Sequence, residues 1–260
     1  MKTLTVTKDP FPYLNRNFEV GIKCTGSTMT YTTPKGKFIY IQSGGIRPKD
    51  FGLFSHVEKK AREGIEGGWI SMPEFKPKFS TFYDSCREIT LLDNVYEIDL
   101  KGAYWHEAFD LDMTDEYMFN NYNTTNKVDK LVRNISIGRL AAKSDFFMAK
   151  KGEKPKWLYS EKKSTYPAFW NVAANCDKKI RECIASLNKQ DILFYWVDAV
   201  FVLGTPALKR AQEFFYHNGI YVKVKRVKLS RIHQKILVNC GREIKKYTLP
   251  NNKNILSKKY

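Results

Sequence analysis

Apolar and polar positions follow several distinct periods along the chain, and each predicts a different element. In DKKIRECIASLNKQ, Ile180, Cys183, Ile184 and Leu187 recur at i, i+3, i+4 and i+7, with lysines opposite and Asp177 as cap; the spacing predicts an amphipathic helix over 177–190. The next segment, DILFYWVDAVFVLG, is a nearly continuous apolar run with one charge, Asp198, at its centre, as a buried strand would show. Thr205 and Pro206 open a second helix over 205–218, and Gly219 closes it. Beyond it, Val222, Val224 and Val227 alternate with Lys223, Lys225 and Lys228, which predicts a hairpin-like sheet with one cationic face. Upstream, NVYEIDL at 94–100 reads as a strand that turns into a helix-like GAYWHEAF. FGLFSHVEKKARE at 51–63 reads as a helix, broken by Gly64, Gly67 and Gly68. Residues 1–50 hold short Thr, Tyr, Phe and Ile runs between Pro10, Pro12, Gly26, Pro34, Gly36 and Gly44-Gly45, a pattern of short strands and turns.

With 260 residues and 43% apolar content, the chain has the material for a sizeable core, so a folded globular protein is expected. Its formal charge of +17 is spread along the whole length and favours a polyanionic partner, nucleic acid first. No stretch approaches the ~20 apolar residues of a membrane span, and MKTLTVTKDPFPYL lacks the apolar centre of a signal peptide. A cytoplasmic protein without a membrane partner is expected. Cys24, Cys86, Cys176, Cys183 and Cys240 are odd in number and form no C-x-x-C pair, which argues for reduced thiols rather than disulfides or zinc. His56, His106, His217 and His233 share no metal-ligand spacing. The same composition fits a ribosomal or scaffolding protein, so charge alone does not select an enzyme.

Asp198 within FYWVDAVFV raises a chemical question, because a carboxylate in an apolar strand is costly unless it is paired or binds a metal. Asp99 is the natural companion, since it also ends an apolar strand just before a turn. Neighbouring strands would bring the two carboxylates together, where divalent cations relieve their repulsion. Taken singly, each fits a buried salt bridge or a cap better than a metal site; the segments around them change that balance.

The residues around these aspartates resemble the family B DNA polymerases, especially the protein-primed branch of phages and linear plasmids. Asp99-Leu100-Lys101-Gly102-Ala103-Tyr104-Trp105 is similar to the first palm motif, D-x-x-S-L-Y-P. The resemblance makes Asp99 a metal ligand and Tyr104 the group that screens out a ribose 2′-hydroxyl; Gly102 and Trp105 depart from the pattern. Lys130 through Gly138 is similar to the fingers motif K-x-x-x-N-S-x-Y-G, with Ile137 for the tyrosine. That motif implies nucleotide binding by Lys130, Arg133, Asn134 and Gly138. Phe194 to Val202 resembles the second palm motif, Y-x-D-T-D-S, with Asp198 as the metal-binding second acid and Trp196 in place of the first. In the other register Asp198 is the less critical acid and Val200 replaces the ligand. Ile65-Glu66-Gly67-Gly68-Trp69 resembles the template-strand loop Y-x-G-G-[FY], and Lys245-Lys246-Tyr247 matches the primer-end motif K-x-Y.

The resemblance implies an α+β fold, a palm of antiparallel sheet backed by helices, with short helical fingers at 120–145 inside a palm of 64–250. A β-rich region at 1–63 precedes it and a basic tail at 251–260 follows. No D-x-E pair precedes residue 60 and few residues follow Pro250, so neither an exonuclease nor a full thumb is expected. The gap from Asp99 to Lys130 leaves no space for a terminal-protein insertion. The implied reaction is transfer from a dNTP to a primer 3′-hydroxyl with two Mg²⁺ or Mn²⁺ ions, on a DNA primer-template, with a terminal protein or processivity factor as further partners. Lys223, Lys225 and Lys228 are expected to follow the DNA or to form a solvated face. The rival expectations are a primase or protein-priming initiator, and an inactive palm kept as a DNA-binding subunit.

Overall fold

The computed structural model describes residues 3–6, 8–25, 28–41, 50–87, 89–241 and 243–249. Along the chain these form β1 (Thr3–Val6), α1 (Phe11–Asn17), β2 (Val20–Thr25), β3 (Thr28–Thr33), β4 (Gly36–Ile41), α2 (Asp50–Glu66), β5 (Ser80–Phe82), β6 (Leu91–Leu100), α3 (Ala103–Asp110), α4 (Glu116–Tyr122) and α5 (Lys127–Ala141). There follow β7 (Lys143–Ala149), β8 (Lys156–Lys162), α6 (Tyr166–Ala185), β9 (Ile192–Trp196), β10 (Ala199–Leu203), α7 (Gly204–His217), β11 (Val222–Ile232), β12 (Lys235–Asn239) and β13 (Ile244–Thr248). The fold is α+β. Among the described residues, no helix is long and apolar enough to cross a membrane.

Two compact units divide the chain: residues 1–74 with 104–172, and 75–103 with 173–260. This differs from the expected division at residue 63, and the cause is strand pairing. β2 is hydrogen-bonded to β3 on one side and to β7 on the other, so the N-terminal strands and the segment after the helical insertion share one six-stranded sheet, β1-β4-β3-β2-β7-β8. The expected tail at 251–260, and Gly26, Gly44 and Gly45, lie outside the described residues.

In the first unit, Val20, Ile22 and Tyr31 on one sheet face pack with Leu14 of α1, a helix the strand-like spacing of 1–50 does not reveal. A separate core joins Leu53, Phe54 and Val57 of α2, Trp105 and Ala108 of α3, Phe119 of α4 and Val132, Ile137 and Leu140 of α5. α2 runs three residues past its expected end at 63, and there Gly67 and Gly68 form its C-cap. Gly67 N–H bonds Glu63 O (2.8 Å), Ile70 N–H bonds Gly64 O (3.0 Å), and Gly68 takes φ +83°, which glycine adopts without strain. The helical insertion is a pair, α4 and α5, each capped by a side chain: Asp115 accepts from Met118 N and Asn126 from Val128 N.

The second unit is a seven-stranded sheet, β13-β12-β11-β6-β10-β9-β5, antiparallel throughout. Its centre has the connectivity β6, α6, β9, β10, α7, β11 and the spatial order β11-β6-β10-β9, a β-α-β-β-α-β unit in which both helices lie on one face. α7 packs on β6 and β10, while Tyr195 of β9 donates its hydroxyl proton to Asp177 Oδ1 of α6 (3.0 Å). Register fixes what each face carries. Tyr195, Val200, Ile98 and Val224 form a cross-strand row toward the helices; Phe194, Phe201, Glu97 and Lys225 form the next row, on the other face.

Two sequence expectations change here. The helix over 177–190 begins at Tyr166, because the apolar stripe continues back through Ala173 and Val172 to Ala168, and Asp177 is a buried mid-helix residue rather than a cap. The apolar run around Asp198 is two strands folded on themselves, with Val197 and Asp198 as the turn.

The α4–α5 pair depends on Arg133, which reaches back from α5 to donate from Nη1 to Tyr122 O (2.9 Å) and Asn123 Oδ1 (3.1 Å) at the end of α4. Replacing it by methionine, Arg133→Met, keeps the stem but orphans those acceptors, a loss of about 1–3 kcal/mol. Hydrogen exchange should accelerate across Glu116–Asn123, and exchange no faster than in the parent would show that Arg133 does not hold the pair.

Candidate functional site

β6, a central strand, delivers Asp99 to one end of the second unit's sheet. Asp99 is the penultimate residue of the strand, with Leu100 between it and the Lys101–Gly102 turn, and is half-buried. Its cross-strand row reads Trp196, Ala199, Asp99, Lys223, all on the face away from the helices. Asp198 sits beside Ala199 in the two-residue β9–β10 turn, and Leu100 N–H donates to Asp198 O (2.9 Å), so the backbones of the two aspartates' segments touch at this point. The turn is tied on its other side by Val197 N–H to Phe79 O (2.6 Å). Val197 has φ +56°, a conformation that suits glycine at the first position of a tight hairpin and strains a β-branched residue. The turn was therefore illegible in sequence, since no Gly, Asn or Pro marks it.

Directly behind Asp99 on the same face, two residues earlier in β6, lies Glu97, which sequence reasoning passed over. It is 2% exposed and is held by Lys245 Nζ (2.7 Å), Lys225 Nζ (3.7 Å) and the Cys240 thiol (3.7 Å). A buried carboxylate needs such partners. Strand alternation was the available signal: Glu97 and Asp99 share a face at i and i+2. Burial acts to lower the Lys245 pKa, but the hydrogen bond and charge of Glu97 outweigh it and the ammonium is held above its ordinary value. Burial likewise pushes the Tyr247 hydroxyl up to about 12. Its ring meets Trp196 (5.1 Å), Phe194 (5.3 Å) and Phe201 (5.8 Å), so β13 curls back over β9 and β10. Lys245 and Tyr247 thus lie on the sheet face that carries Asp99, but Tyr247 is a core residue at 8% exposure.

The three lysines of β11 do not form one cationic face. Lys223 and Lys225 stand across from Asp99 and Glu97. The register then shifts between Val227 and Leu229, and Lys228 pairs with Asp93 (3.2 Å). Lys225 and Lys228 match the charge of Glu97 and Asp93, while Lys223 is the ladder neighbour of Asp99.

The expected nucleotide-binding residues belong to the first unit. Lys130, Asn134 and Gly138 are spaced at i, i+4 and i+8 on α5 and form one exposed stripe. A Cβ at Gly138 would meet nothing within 4 Å, so the surface there is open. Arg133 is turned away and 7% exposed, with a pKa lowered by burial; it serves the α4–α5 pair rather than the stripe. Ile137, at the tyrosine position of the resembled motif, is buried in the α2–α5 core. Tyr104 is half-buried and packs edge-on against Phe169 (6.4 Å). Gly67 and Gly68 cap α2, with the Trp69 indole lying across Gly67.

Among the described residues, no three His, Cys, Asp or Glu side chains form a metal cluster. The backbones that carry Asp99 and Asp198 adjoin, and their side chains offer carboxylate oxygens as donors. That suits Mg²⁺ or Mn²⁺, which bind through one or two carboxylates and complete their shell with water and substrate phosphates.

Two outcomes test this geometry. Tyr247 is protonated when folded to about pH 12 but ionises near its ordinary value of 10 when unfolded, so its contribution is full below pH 10 and is lost as pH rises toward 12. Unfolding by urea should show a shallower alkaline loss of stability in Tyr247→Phe than in the parent; identical slopes would place the hydroxyl in water. For the turn, Val197→Gly should raise the melting temperature by roughly 2–4 °C, since relieving about 1–3 kcal/mol of strain exceeds the ~0.5–1 kcal/mol entropy cost of glycine. A lower melting temperature would mean the turn is unstrained. No protein-family model matches the chain, and no curated protein or solved structure matches it.

Proposed function

We propose that the chain is a nucleotidyltransferase of the family B DNA polymerase type, its second unit serving as the palm, which adds deoxynucleotides to a primer 3′-hydroxyl. One observation carries this reading: Asp99 near the end of β6 and Asp198 in the β9–β10 turn reach adjoining backbone positions at one end of an antiparallel sheet that two helices back. Lys245 lies on the same face, and in the first unit the Lys130–Asn134–Gly138 stripe faces solvent as a triphosphate-gripping helix would. Both support the reading without depending on the composition.

In this reading Asp99 and Asp198 hold Mg²⁺ or Mn²⁺. When bound, the metal offsets triphosphate charge and lowers the pKa of the primer hydroxyl. Asp99 is kept in place by the β6 ladders on both sides, and Asp198 by the turn's two flanking backbone bonds. Glu97 fixes Lys245 beneath them. Lys130 offers its ammonium to phosphate oxygens, and Tyr104 discriminates against a 2′-hydroxyl. DNA primer-template and dNTP are the partners, with phage or mobile-element replication as the setting.

A second reading is favoured by a specific feature. The β9–β10 hairpin contributes one carboxylate: Trp196 occupies the row beside Ala199, and Val200 is fully buried toward the helices. Lys223 is also the cross-strand neighbour of Asp99, a cation where a metal would sit close by. An inactive palm acting as a DNA-binding subunit has this appearance.

Primer extension with Mg²⁺ or Mn²⁺ separates the readings, and a primer-free arm detects the primase alternative. Asp99→Asn and Asp198→Asn should each lower extension by several orders of magnitude, because a lost ligand removes stabilisation largest in the transition state, while DNA binding stays within a few-fold. Wild-type protein that binds primer-template yet extends nothing would leave the DNA-binding reading.

A further inference from the structure

On the six-stranded sheet of the first unit, register sets Lys23 of β2, Phe146 of β7 and Tyr159 of β8 in one cross-strand row, and therefore on one face. The rings of Phe146 and Tyr159 stack at 4.3 Å with planes 20° apart, and Lys23 Nζ lies 5.0 Å from the Phe146 centroid. This is not the core face, which carries Val20, Ile22 and Tyr31. On the row's face the neighbouring positions include the small Gly21, Thr30 and Thr32 with Met148 beside Phe146; Phe146 is half-buried, and Tyr159 is 54% exposed.

Lys23 also lines a cavity of about 220 Å³ that opens beside this stack. Arg62, Lys162 and Lys163 face it as further cations, and Glu58 and Glu161 are its carboxylates. Glu58 is neutralised within the protein, held by Lys163 (2.6 Å) and by Arg139 (3.0 Å). Its charge is therefore already matched. Burial lowers the Lys163 pKa, and repulsion from Arg139 and Lys23 adds to the effect although Glu58 opposes it; an anion entering the cavity would relieve that repulsion.

A cationic cavity sized for a phosphate, next to a stacked aromatic pair and sharing a lysine with it, matches alternating phosphates and bases. We propose that this face binds single-stranded nucleic acid, with a base stacked on Tyr159 and Phe146 and the adjoining phosphate held by Lys23, Arg62 and Lys162. A duplex hides its base faces, a free phosphate ignores the rings, and an acidic peptide has no planar ring to stack. The site lies within the first unit, and it stands whether or not the second unit catalyses nucleotidyl transfer.

The test uses the full chain without metal or dNTP and a fluorescent oligothymidylate of roughly ten nucleotides. Tyr159→Ala should weaken binding by roughly 5- to 150-fold, the range for one lost base stack, while Tyr159→Phe restores it. Arg62→Gln should reduce the slope of log affinity against log salt by about 0.7. With 5-iodouridine in the strand, the cross-linked peptide should contain Phe146 or Tyr159, a readout that needs no variant to fold. The proposal fails if Tyr159→Ala binds like the parent, or if cross-links map only outside the first unit. It also fails if duplex DNA, inorganic phosphate or polyglutamate competes as well as the single strand does.

Discussion

β6 is hydrogen-bonded along both edges, to β10 on one side and β11 on the other, and the candidate chemistry of the second unit depends on that double ladder. A strand held on both sides cannot slip by one residue without exchanging its two faces. The ladder therefore decides that Ile98 and Leu100 enter the helix-backed core while Glu97 and Asp99 face the other way. Register thus turns an alternating segment into two acids on one surface, one buried and one at the rim.

The two acids are handled differently. Glu97 is almost fully enclosed and would be costly as a bare charge; Lys245 and Lys225 match it, and the match ties β13 and β11 to β6. Asp99 has the more accessible position, with Lys223 as its cross-strand neighbour. Asp198 reaches the same end of the sheet only because the chain reverses at Val197, in a conformation valine adopts under strain. Strain held by flanking hydrogen bonds is the kind of local cost that accompanies a positioned group.

The first unit follows a different logic. Its six-stranded sheet buries one face under α1 and leaves the row of Lys23, Phe146 and Tyr159 on the other. Its helices are joined by polar contacts that use residues with binding chemistry for structural ends. Arg133 closes the end of α4, and Lys163 with Arg139 neutralises Glu58 of α2. A basic residue in a motif is thus no guarantee of a free cation, because a helix end or a buried acid competes for it.

Local periodicity determined the elements it could reach: β6 with its turn into α3, α7 with its glycine stop, and the β11–β12 hairpin all follow from side-chain spacing within a few turns or strands, while the α+β class was what the family resemblance implied. The i, i+4, i+8 spacing of Lys130, Asn134 and Gly138 was equally local, though their exposure on α5 came from the fold. Pairing between distant segments was not. That β2 joins β7 and that Lys225 and Lys245 converge on Glu97 are long-range outcomes of burial and register. The reversal at Val197–Asp198 shows the limit most sharply: the apolar run is the same whether it forms one strand or two, and only ladders to β6 and β9 make folding it back favourable. Sequence determined which residues carry charge and which seek burial; the tertiary structure decided which charges meet, because those meetings are set by register across strands far apart in the chain.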